Sequence, residues 1–249
     1  MGNARGRVAQ DPVGLRRAPN AWMYHSVSRS SAPDPHGLRV HPDRLDQQLR
    51  LLRRAGIRGA SMREVLSGEA GRRSVALTFD DGYADFVTEA MPVLARHRMT
   101  ATVFVVAGKL GGTNAWDRDA PQVPLVDAEH VRTIAVAGHE IGSHSASHAH
   151  LAGAPAEVLQ REVTESRSLL EGVTGSPVLG FCFPYGEEDQ AALEAVRSSG
   201  YSYACAVEGR SGLDRHRLPR YYIGQRDGMA RLLAKHVRHR ARNRSWGHR

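Results

Sequence analysis

Short apolar segments alternate with amphipathic segments along most of this chain. The apolar segments have the length and composition of strands, and they are 21–27, 74–79, 101–106, 141–143, 178–183, 201–207 and 219–223. The segments with apolar residues at helical spacing are 43–55, 84–97, 127–137, 155–171 and 190–198. Because buried apolar strands that alternate with helices are typical of a parallel sheet covered by helices, we predict an α/β fold.

The number of strand and helix units suits an incomplete barrel related to the (β/α)8 architecture. In barrels of that kind, the chemistry lies on the loops that follow the carboxyl ends of the strands. Candidate functional residues should therefore follow several different strands.

Composition changes this picture little, but charge divides the chain into regions. With 249 residues, of which 41% are hydrophobic and 24% charged, the chain is ordinary for a globular protein, which excludes wholesale disorder, collagen and coiled coil. The net charge of +8 suggests an anionic macromolecular partner. However, residues 231–249 carry +7 and residues 1–20 carry +3, which leaves −2 for residues 21–230.

We therefore predict a basic N-terminal extension, 1–20, a folded domain, 21–230, and a basic C-terminal tail, 231–249. The ends are interpreted either as solvated segments or as tails that bind anions. Only these ends support a nucleic-acid binder, so we expect no specific nucleic-acid partner.

The location of the protein is predicted from what the sequence lacks. Two cysteines, Cys182 and Cys205, are too few for a disulfide framework and are interpreted as buried small apolar residues. No run of 18 apolar residues predicts a transmembrane segment, and residues 1–20 lack the apolar core of a signal peptide. We expect a cytoplasmic protein, and the sequence does not indicate its oligomeric state.

Two adjacent carboxylates, Asp80 and Asp81, directly follow the strand predicted at 74–79, within the sequence TFDDG. If the chain turns at Gly82, the carboxylates splay, so that one can bind a metal ion while the other stays free as a base. The alternative is an ordinary turn or helix cap, because Asp-Asp-Gly is common in both.

A histidine pair, His144 and His148, follows the strand predicted at 141–143. Two imidazoles four residues apart can converge on one ion if the segment forms a helical turn. The chain has 13 histidines, so a pair with this spacing also arises by chance, and a satisfied or exposed pair remains an alternative.

Two further features lie at strand ends. Pro184 and Gly186, in the sequence FPYG, predict a rigid turn, which either ends a strand or aims a backbone N–H into a cavity. His25 lies in the first apolar segment, where a histidine is usually part of the core.

Together these motifs resemble the polysaccharide deacetylases of the NodB-homology type, carbohydrate esterase family 4. The matching pieces are TFDDG (78–82), HSASH (144–148) and FPYG (183–186), with similar surroundings in MYHSV (23–27), PVL (92–94) and TATVFVV (100–106). The resemblance covers about residues 21–225. It implies a deformed (β/α)7-type barrel, the NodB-homology or glycoside hydrolase/deacetylase fold, with 21–230 as the catalytic domain.

The resemblance also implies a metal-dependent N-deacetylase, in which Asp81, His144 and His148 bind one divalent ion. Zinc is expected, with cobalt, nickel, manganese or iron as alternatives. Asp80 is then the general base, the backbone N–H of Tyr185 stabilises the oxyanion, and Pro184 contacts the substrate.

The sequence departs from the larger branch of this family in two places. Residues 219–235 contain no histidine, where that branch carries its acid in a Leu-x-His motif, and Cys182 stands where that branch has an arginine. Both departures resemble the exopolysaccharide (poly-N-acetylglucosamine) deacetylase branch, in which the acid motif lies on the first strand. The resemblance then makes His25 the general acid, and Arg220 becomes a candidate for orienting Asp80.

An aromatic residue and a carboxylate, Trp116 and Asp117, follow the strand predicted at 101–106 and a glycine-rich loop. They suit stacking on a sugar and recognition of its hydroxyl groups, whereas the alternative is a packed loop anchor.

We therefore expect a hydrolase of linear amides that acts on an N-acetylated amino sugar. One alternative is an amide hydrolase, a deacylase or deformylase, that acts on a non-sugar small molecule. The other is a non-catalytic carbohydrate-binding protein with the same fold, and the pair Asp80 and Asp81 argues against it, because a binding module needs no free base beside a metal ligand.

Overall fold

A computed structural model describes residues 18–207 and 214–242. Its strands are β1 (Ala21–Tyr24), β2 (Ser26–Val27), β3 (Arg39–Val40), β4 (Arg58–Ala60), β5 (Ser74–Phe79), β6 (Thr102–Val105), β7 (Glu140–Ser143), β8 (Gly180–Cys182), β9 (Tyr203–Val207) and β10 (Leu218–Tyr222). Its α-helices are α1 (Pro42–Arg54), α2 (Met62–Ser67), α3 (Met91–His97), α4 (Ala128–Val136), α5 (Ala156–Thr174), α6 (Gln190–Ser198) and α7 (Met229–Arg242). The predictions made for residues 1–17 and 243–249 lie outside the described residues.

Seven parallel strands close into a barrel, in the order β1, β10, β9, β8, β7, β6, β5 and back to β1. Ala76 of β5 pairs with Ala21 of β1 on one edge and with Ala60 of β4 on the other. On that second edge, β6 continues where β4 ends, since Thr78 pairs with Thr102. The predicted deformed (β/α)7-type barrel is therefore confirmed, with β4 as an additional strand on its outer edge.

Alternate residues of the strands face two different cores, because side chains in a strand point to opposite faces. The face toward the helices joins strand residues such as Leu77, Val103 and Phe181 to Leu45 of α1 and Val163 of α5. The other face fills the barrel interior with Ala21, Ala76, Phe104, Cys182, Tyr203, Cys205 and Leu218. By the same alternation, Asp80, His144 and Arg220 continue the inward series at the carboxyl end of the barrel.

All predicted helices form, and one of them is divided. The segment predicted at 84–97 is a π-helical turn, Phe86–Ala90, followed by α3. Pro92 lies in the first turn of α3, directly after the π-helical turn, and its missing N–H cannot donate a helical hydrogen bond there.

Three short elements, β3, β4 and α2, were missed by the hydrophobic pattern. The strand β4 has three residues, of which Arg58 is exposed, so it shows no apolar alternation. The helix α2 has six residues and begins with a capping box, in which Ser61 and Glu64 each bind the other's backbone N–H.

The predicted boundary between residues 230 and 231 falls within α7. This helix packs on the barrel through Leu232 and His239, which are both buried. His239 also hydrogen-bonds the carbonyl of Pro19, and Asn20 contacts Tyr221 and His236. Residues 231–242 therefore belong to the folded domain, although their charge suggested a tail.

Within residues 18–207 and 214–242, no helix combines the length and the apolar character needed to cross a bilayer.

Candidate functional site

The residues singled out by sequence come together at the carboxyl end of the barrel. Asp80 and Asp81 follow β5, and His144 follows β7. The turn Pro184–Gly186 follows β8, and His25 follows β1. The candidates thus come from four different strands, as chemistry at this end of a parallel barrel requires.

Asp81, His144 and His148 form a buried cluster whose ligating atoms all lie within 4.8 Å of one another. The Nε2 atoms of the two histidines are each 3.3 Å from Oδ1 of Asp81. All three side chains are at least 94% buried. This set consists of one carboxylate and two imidazoles, which is a donor set typical of a catalytic metal site.

The backbone that brings these residues together is a loop, and the helical turn expected for residues 144–148 is absent. Ser145 and His148 both have φ of 63°, and Asp81 has φ of 71°. Residues other than glycine rarely adopt this left-handed conformation, and it persists where the surroundings enforce it. The histidines therefore converge through backbone strain and not through helical spacing.

Neighbouring segments hold this strained loop in place. Glu162 of α5 accepts hydrogen bonds from the N–H of Ala146 at 3.0 Å and from the N–H and Oγ of Ser147 at 2.8 and 2.6 Å. On the other side, the N–H of Gly108 donates to the carbonyl of Ala146 at 2.8 Å. A Cβ at Gly108 would lie 2.6 Å from that carbonyl oxygen, so only glycine fits there.

The packing around the two histidines leaves their Nε2 atoms facing Asp81. Nδ1 of His144 lies 2.8 Å from the carbonyl of Cys182, which fixes the ring and its tautomer. The ring of His148 is stacked at 4.3 Å on that of Trp116. Zinc ligands at about 2.0–2.1 Å from one ion in tetrahedral geometry lie roughly 3.3–3.4 Å apart. The separations from Asp81 therefore fit a divalent cation.

The electrostatics of the cluster favour a positive charge. Burial raises the pKa of Asp81, but the two imidazoles lower it well below its usual value, so this carboxylate is ionised. Burial lowers the pKa of His144, but Cys182 and the carboxylate of Asp81 raise it well above its usual value. Burial lowers the pKa of His148. Binding of a cation would thus displace a proton from His144.

Asp80 points in a different direction and is held by Arg220. The two guanidinium nitrogens donate to Oδ1 and Oδ2 of Asp80 at 2.6 and 2.8 Å, and one of them also donates to Oγ1 of Thr78. Arg220 is fully buried, with its guanidinium over the ring of Phe104. Burial raises the pKa of Asp80, but Arg220 more than offsets this effect and holds the pKa below its usual value.

Cys182 does more than fill space beside this pair. Its Sγ lies 2.9 Å from a guanidinium nitrogen of Arg220 and 3.6 Å from Oδ2 of Asp80. Cys182 and Cys205 are free and buried, and burial raises the pKa of both thiols. The guanidinium group of Arg220, on β10, therefore contacts both the carboxylate of Asp80 and the thiol of Cys182, on β8.

His25 lies beside Asp80 because of the register of β1 and β5. Tyr24 pairs with Phe79, and the N–H of Asp80 donates to the carbonyl of Tyr24. The charge of His25 contributes to lowering the pKa of both Asp80 and Asp81, which reflects this proximity. Nδ1 of His25 is buried and has no partner among the described residues.

The turn after β8 brings an aromatic ring to the rim of the cluster. Tyr185 has φ of 58°, and its ring meets that of His148 edge-on at 4.6 Å and stacks on His150 at 3.9 Å. Pro184 is buried at the start of this turn. The backbone N–H of Tyr185 makes no hydrogen bond to another described residue.

Trp116 and Asp117 line the same rim. One face of the Trp116 ring packs against His148, so this residue supports a member of the cluster. Asp117 is held by Asn114, and its charge adds to the effect of burial that raises the pKa of Tyr185. Both residues therefore lie beside the cluster, and their role in sugar recognition stays a prediction.

Two supporting carboxylates were missed by sequence reasoning. Asp85 accepts from Oγ of Ser26 at 2.5 Å and from the N–H of Val27 at 3.1 Å, and burial raises its pKa to about 6. Glu162 shares the buried face of α5 with Val163 and Ser166. An acidic residue on the apolar face of a helix was a readable signal for Glu162, whereas nothing in the pattern marked Asp85.

Comparisons with known proteins agree with this architecture. The family model described as polysaccharide deacetylase matches residues 67–204, which is more than half of the chain. YxkH of Bacillus subtilis (strain 168) is 26% identical over 191 residues, covering 75% of this chain and 63% of that protein. A chitooligosaccharide deacetylase of Rhizobium leguminosarum bv. trifolii is 34% identical over 146 residues, covering 57% of this chain and 61% of that protein.

The chain spans about three fifths of the length of these curated relatives. Among solved structures, IcaB from Ammonifex degensii matches with a TM-score of 0.71 at 22% identity, over 88% of this chain and 97% of that chain. This likeness shows a shared fold. The residue cluster at 80–81 and 144–148 lies within the matched family range, whereas His25 and Arg220 lie outside it.

Proposed function

This chain belongs to the polysaccharide deacetylase family, and on that premise we propose that it is a metal-dependent hydrolase that removes the acetyl group from an N-acetylated amino sugar. The observation that carries the proposal is the separation of two adjacent carboxylates into different environments. Asp81 faces two imidazoles, while Asp80 faces a buried guanidinium. Metal-dependent hydrolysis of an amide uses a bound cation to activate the carbonyl and a separate base, and Asp81 could help to hold the cation while Asp80 acts as the base.

Asp81, His144 and His148 would hold one divalent ion, and we propose zinc. When bound, such an ion supplies Lewis-acid chemistry, since it acidifies water and polarises a carbonyl oxygen. One carboxylate and two imidazoles leave room for both water and substrate at a single ion.

Asp80 acts as the general base in this proposal. Its pKa is held below the usual value by Arg220, so it is ionised and can accept the proton of the attacking water. The bidentate contact also fixes the direction of the carboxylate. Arg220 is thus a positioning residue that keeps the base charged and oriented.

His25 acts as the general acid that protonates the leaving amine. It lies beside Asp80 at the end of β1, and a histidine imidazole can donate a proton to a leaving amine. The N–H of Tyr185, at the rim of the cluster, donates to the oxyanion of the tetrahedral intermediate.

The substrate class rests on the rim and on the relatives. The rings of Trp116 and Tyr185 flank His148, and aromatic rings at the mouth of a site suit contact with a sugar face. The Rhizobium relative is named a chitooligosaccharide deacetylase, so oligomers of N-acetylglucosamine are the first substrates to test.

The test is acetate release from N-acetylglucosamine oligomers and from small N-acetylated amides without a sugar, with and without a chelator. We expect acetate from the oligomers, loss of activity with chelator and recovery on adding zinc. Release of acetate from the small amides but not from the oligomers would indicate that the substrate is a small molecule without a sugar. Binding of oligomers without any hydrolysis would instead indicate a carbohydrate-binding protein.

A further inference from the structure

A second concave surface, the basic groove, lies beside the candidate site and has no role in the proposed reaction. It has a volume of about 620 Å³ and runs between the loop 28–38, the loop 223–228 and α7. Tyr222 lines the groove, and its ring lies 6.5 Å from the ring of His25. The groove therefore begins next to the proposed general acid.

The loop 28–38 also connects the groove to the opposite rim of the site. His36 lines the groove, and its Nε2 lies 3.1 Å from Oδ1 of Asp119, in the loop that carries Trp116. The loop 28–38 therefore lies against both the groove and the loop that carries Trp116.

The groove has an excess of positive charge without internal partners. Arg226, Arg231 and Arg238 line it and are exposed. None of the three forms an ion pair or a side-chain hydrogen bond with the residues that the structure describes. Three guanidinium groups in one concavity therefore remain available to a ligand.

The acidic residues of the groove do not balance these arginines, because Asp227 is paired with Lys235 and the one carboxylate of Asp34 faces three guanidinium groups. Both carboxylate oxygens of Asp34 accept backbone N–H groups, from Leu38 at 2.9 Å and from Arg39 at 3.0 Å. Oδ2 of Asp227 accepts from the N–H of Gly224 at 2.8 Å and pairs with Nζ of Lys235. The surface left for a ligand is thus cationic.

We propose that this groove binds a phosphate or carboxylate group carried by the sugar substrate, so that the enzyme prefers anionic N-acetylated saccharides. A guanidinium matches both anions with two parallel hydrogen bonds, and the volume suits a small ligand or one end of a longer one. The preference for an anionic substrate rests on the proposed function, whereas binding of the anion does not.

The first experiment measures binding without turnover. Glucose 6-phosphate, glucuronate and glucose are titrated into the metal-loaded protein by calorimetry at low salt, and none of them has an acetamide to hydrolyse. The variant is R231Q combined with R238Q, and the matched control is R132Q, an exposed arginine on α4 away from the groove. Thermal unfolding verifies that all variants are folded.

Wild type should bind at least one anionic sugar about ten-fold or more tightly than glucose, because hydrogen bonds between charged groups are strong. The double variant should lose that preference, and the control should keep it. Comparison of glucose 6-phosphate with glucuronate identifies phosphate or carboxylate as the preferred anion. Equal affinity for all three sugars, or loss of the preference in R132Q, would overturn the proposal.

The second experiment measures KM for N-acetylglucosamine 6-phosphate and for N-acetylglucosamine. The double variant should raise KM for the phosphorylated substrate and leave the neutral one unchanged, and an equal effect on both would contradict the assignment. If anionic sugars bind in the groove but nothing is hydrolysed, the proposed function is wrong, whereas the groove is still an anion-binding site. If vesicles of phosphatidylglycerol and phosphatidylcholine bind through these arginines while the sugars do not, the groove is a lipid contact and the proposal is wrong.

Discussion

Replacing Arg220 with methionine tests how the buried pair with Asp80 works. The variant loses two charged hydrogen bonds, at 2.6 and 2.8 Å, and leaves a carboxylate that is 3% exposed without its cation. Removing one partner of a buried ion pair costs about 3–5 kcal/mol of folding free energy. R220M should therefore unfold at a lower denaturant concentration than wild type at neutral pH.

The sign of the pH dependence follows from the pKa of Asp80. In wild type this pKa lies below the unfolded value, so the carboxylate adds stability above the unfolded pKa, and that stability is lost as the pH falls through the folded pKa. In R220M the main group that lowers this pKa is gone, and burial raises the pKa against only the smaller effects of His144 and His25, so ionisation with rising pH destabilises the fold. The stability difference between the two proteins should widen from pH 4 to pH 7.

Activity should report the same shift. If Asp80 is the base, the acid limb of the kcat/KM profile for acetate release should move to higher pH in R220M. R217M is the control, because Arg217 lies 3.0 Å from the buried carboxylate of Glu188, outside the cluster. It should lower stability without moving the acid limb. An unmoved acid limb in R220M, with the expected loss of stability, would refute the role given to Arg220.

Three further variants test the remaining assignments. H148A should lose the single divalent ion that wild type holds, as measured by elemental mass spectrometry, and equal metal content in both proteins would contradict the ligand set. H25A should abolish acetate release while H236A does not, because His236 contacts Asn20 on the outside of the barrel, and the reverse result would move the acid to α7. Deletion of residues 231–249 should lower the melting temperature, because it removes the buried side chain of Leu232, which contributes about 2–5 kcal/mol to the free energy of unfolding. An unchanged melting temperature would instead support the prediction that these residues are a tail.

The barrel could be predicted because its strands are buried on both faces and read as apolar runs. The strand predicted at 74–79 forms as β5, and the residues that follow it form the cluster. Asp80, Asp81 and His144 were placed correctly at the barrel mouth because strand ends in a parallel barrel meet at one edge.

The route by which His148 reaches the cluster could not be predicted. Spacing suggested a helical turn, whereas the loop uses left-handed φ values at Ser145 and His148, enforced by Glu162 from a distant helix. Arg220 could be named as a candidate but its contact with Asp80 could not be derived, because it depends on how β10 closes the barrel against β1.

The C-terminal helix shows how charge can obscure periodicity. Residues 231–249 were predicted as a tail from their arginines, yet Leu232 and His239, seven residues apart, lie on one face of α7 and are buried.

The cytoplasmic location and the identity of the metal stay predictions.

The measurement that tests the account most directly is the metal content and turnover of D80N. The account predicts that D80N keeps one divalent ion per chain, because the Asp81 cluster is intact, and loses acetate release by about 10²–10⁴-fold, because the base is gone. Turnover at the wild-type level, or loss of the ion together with activity, would contradict the division of labour between the two adjacent carboxylates.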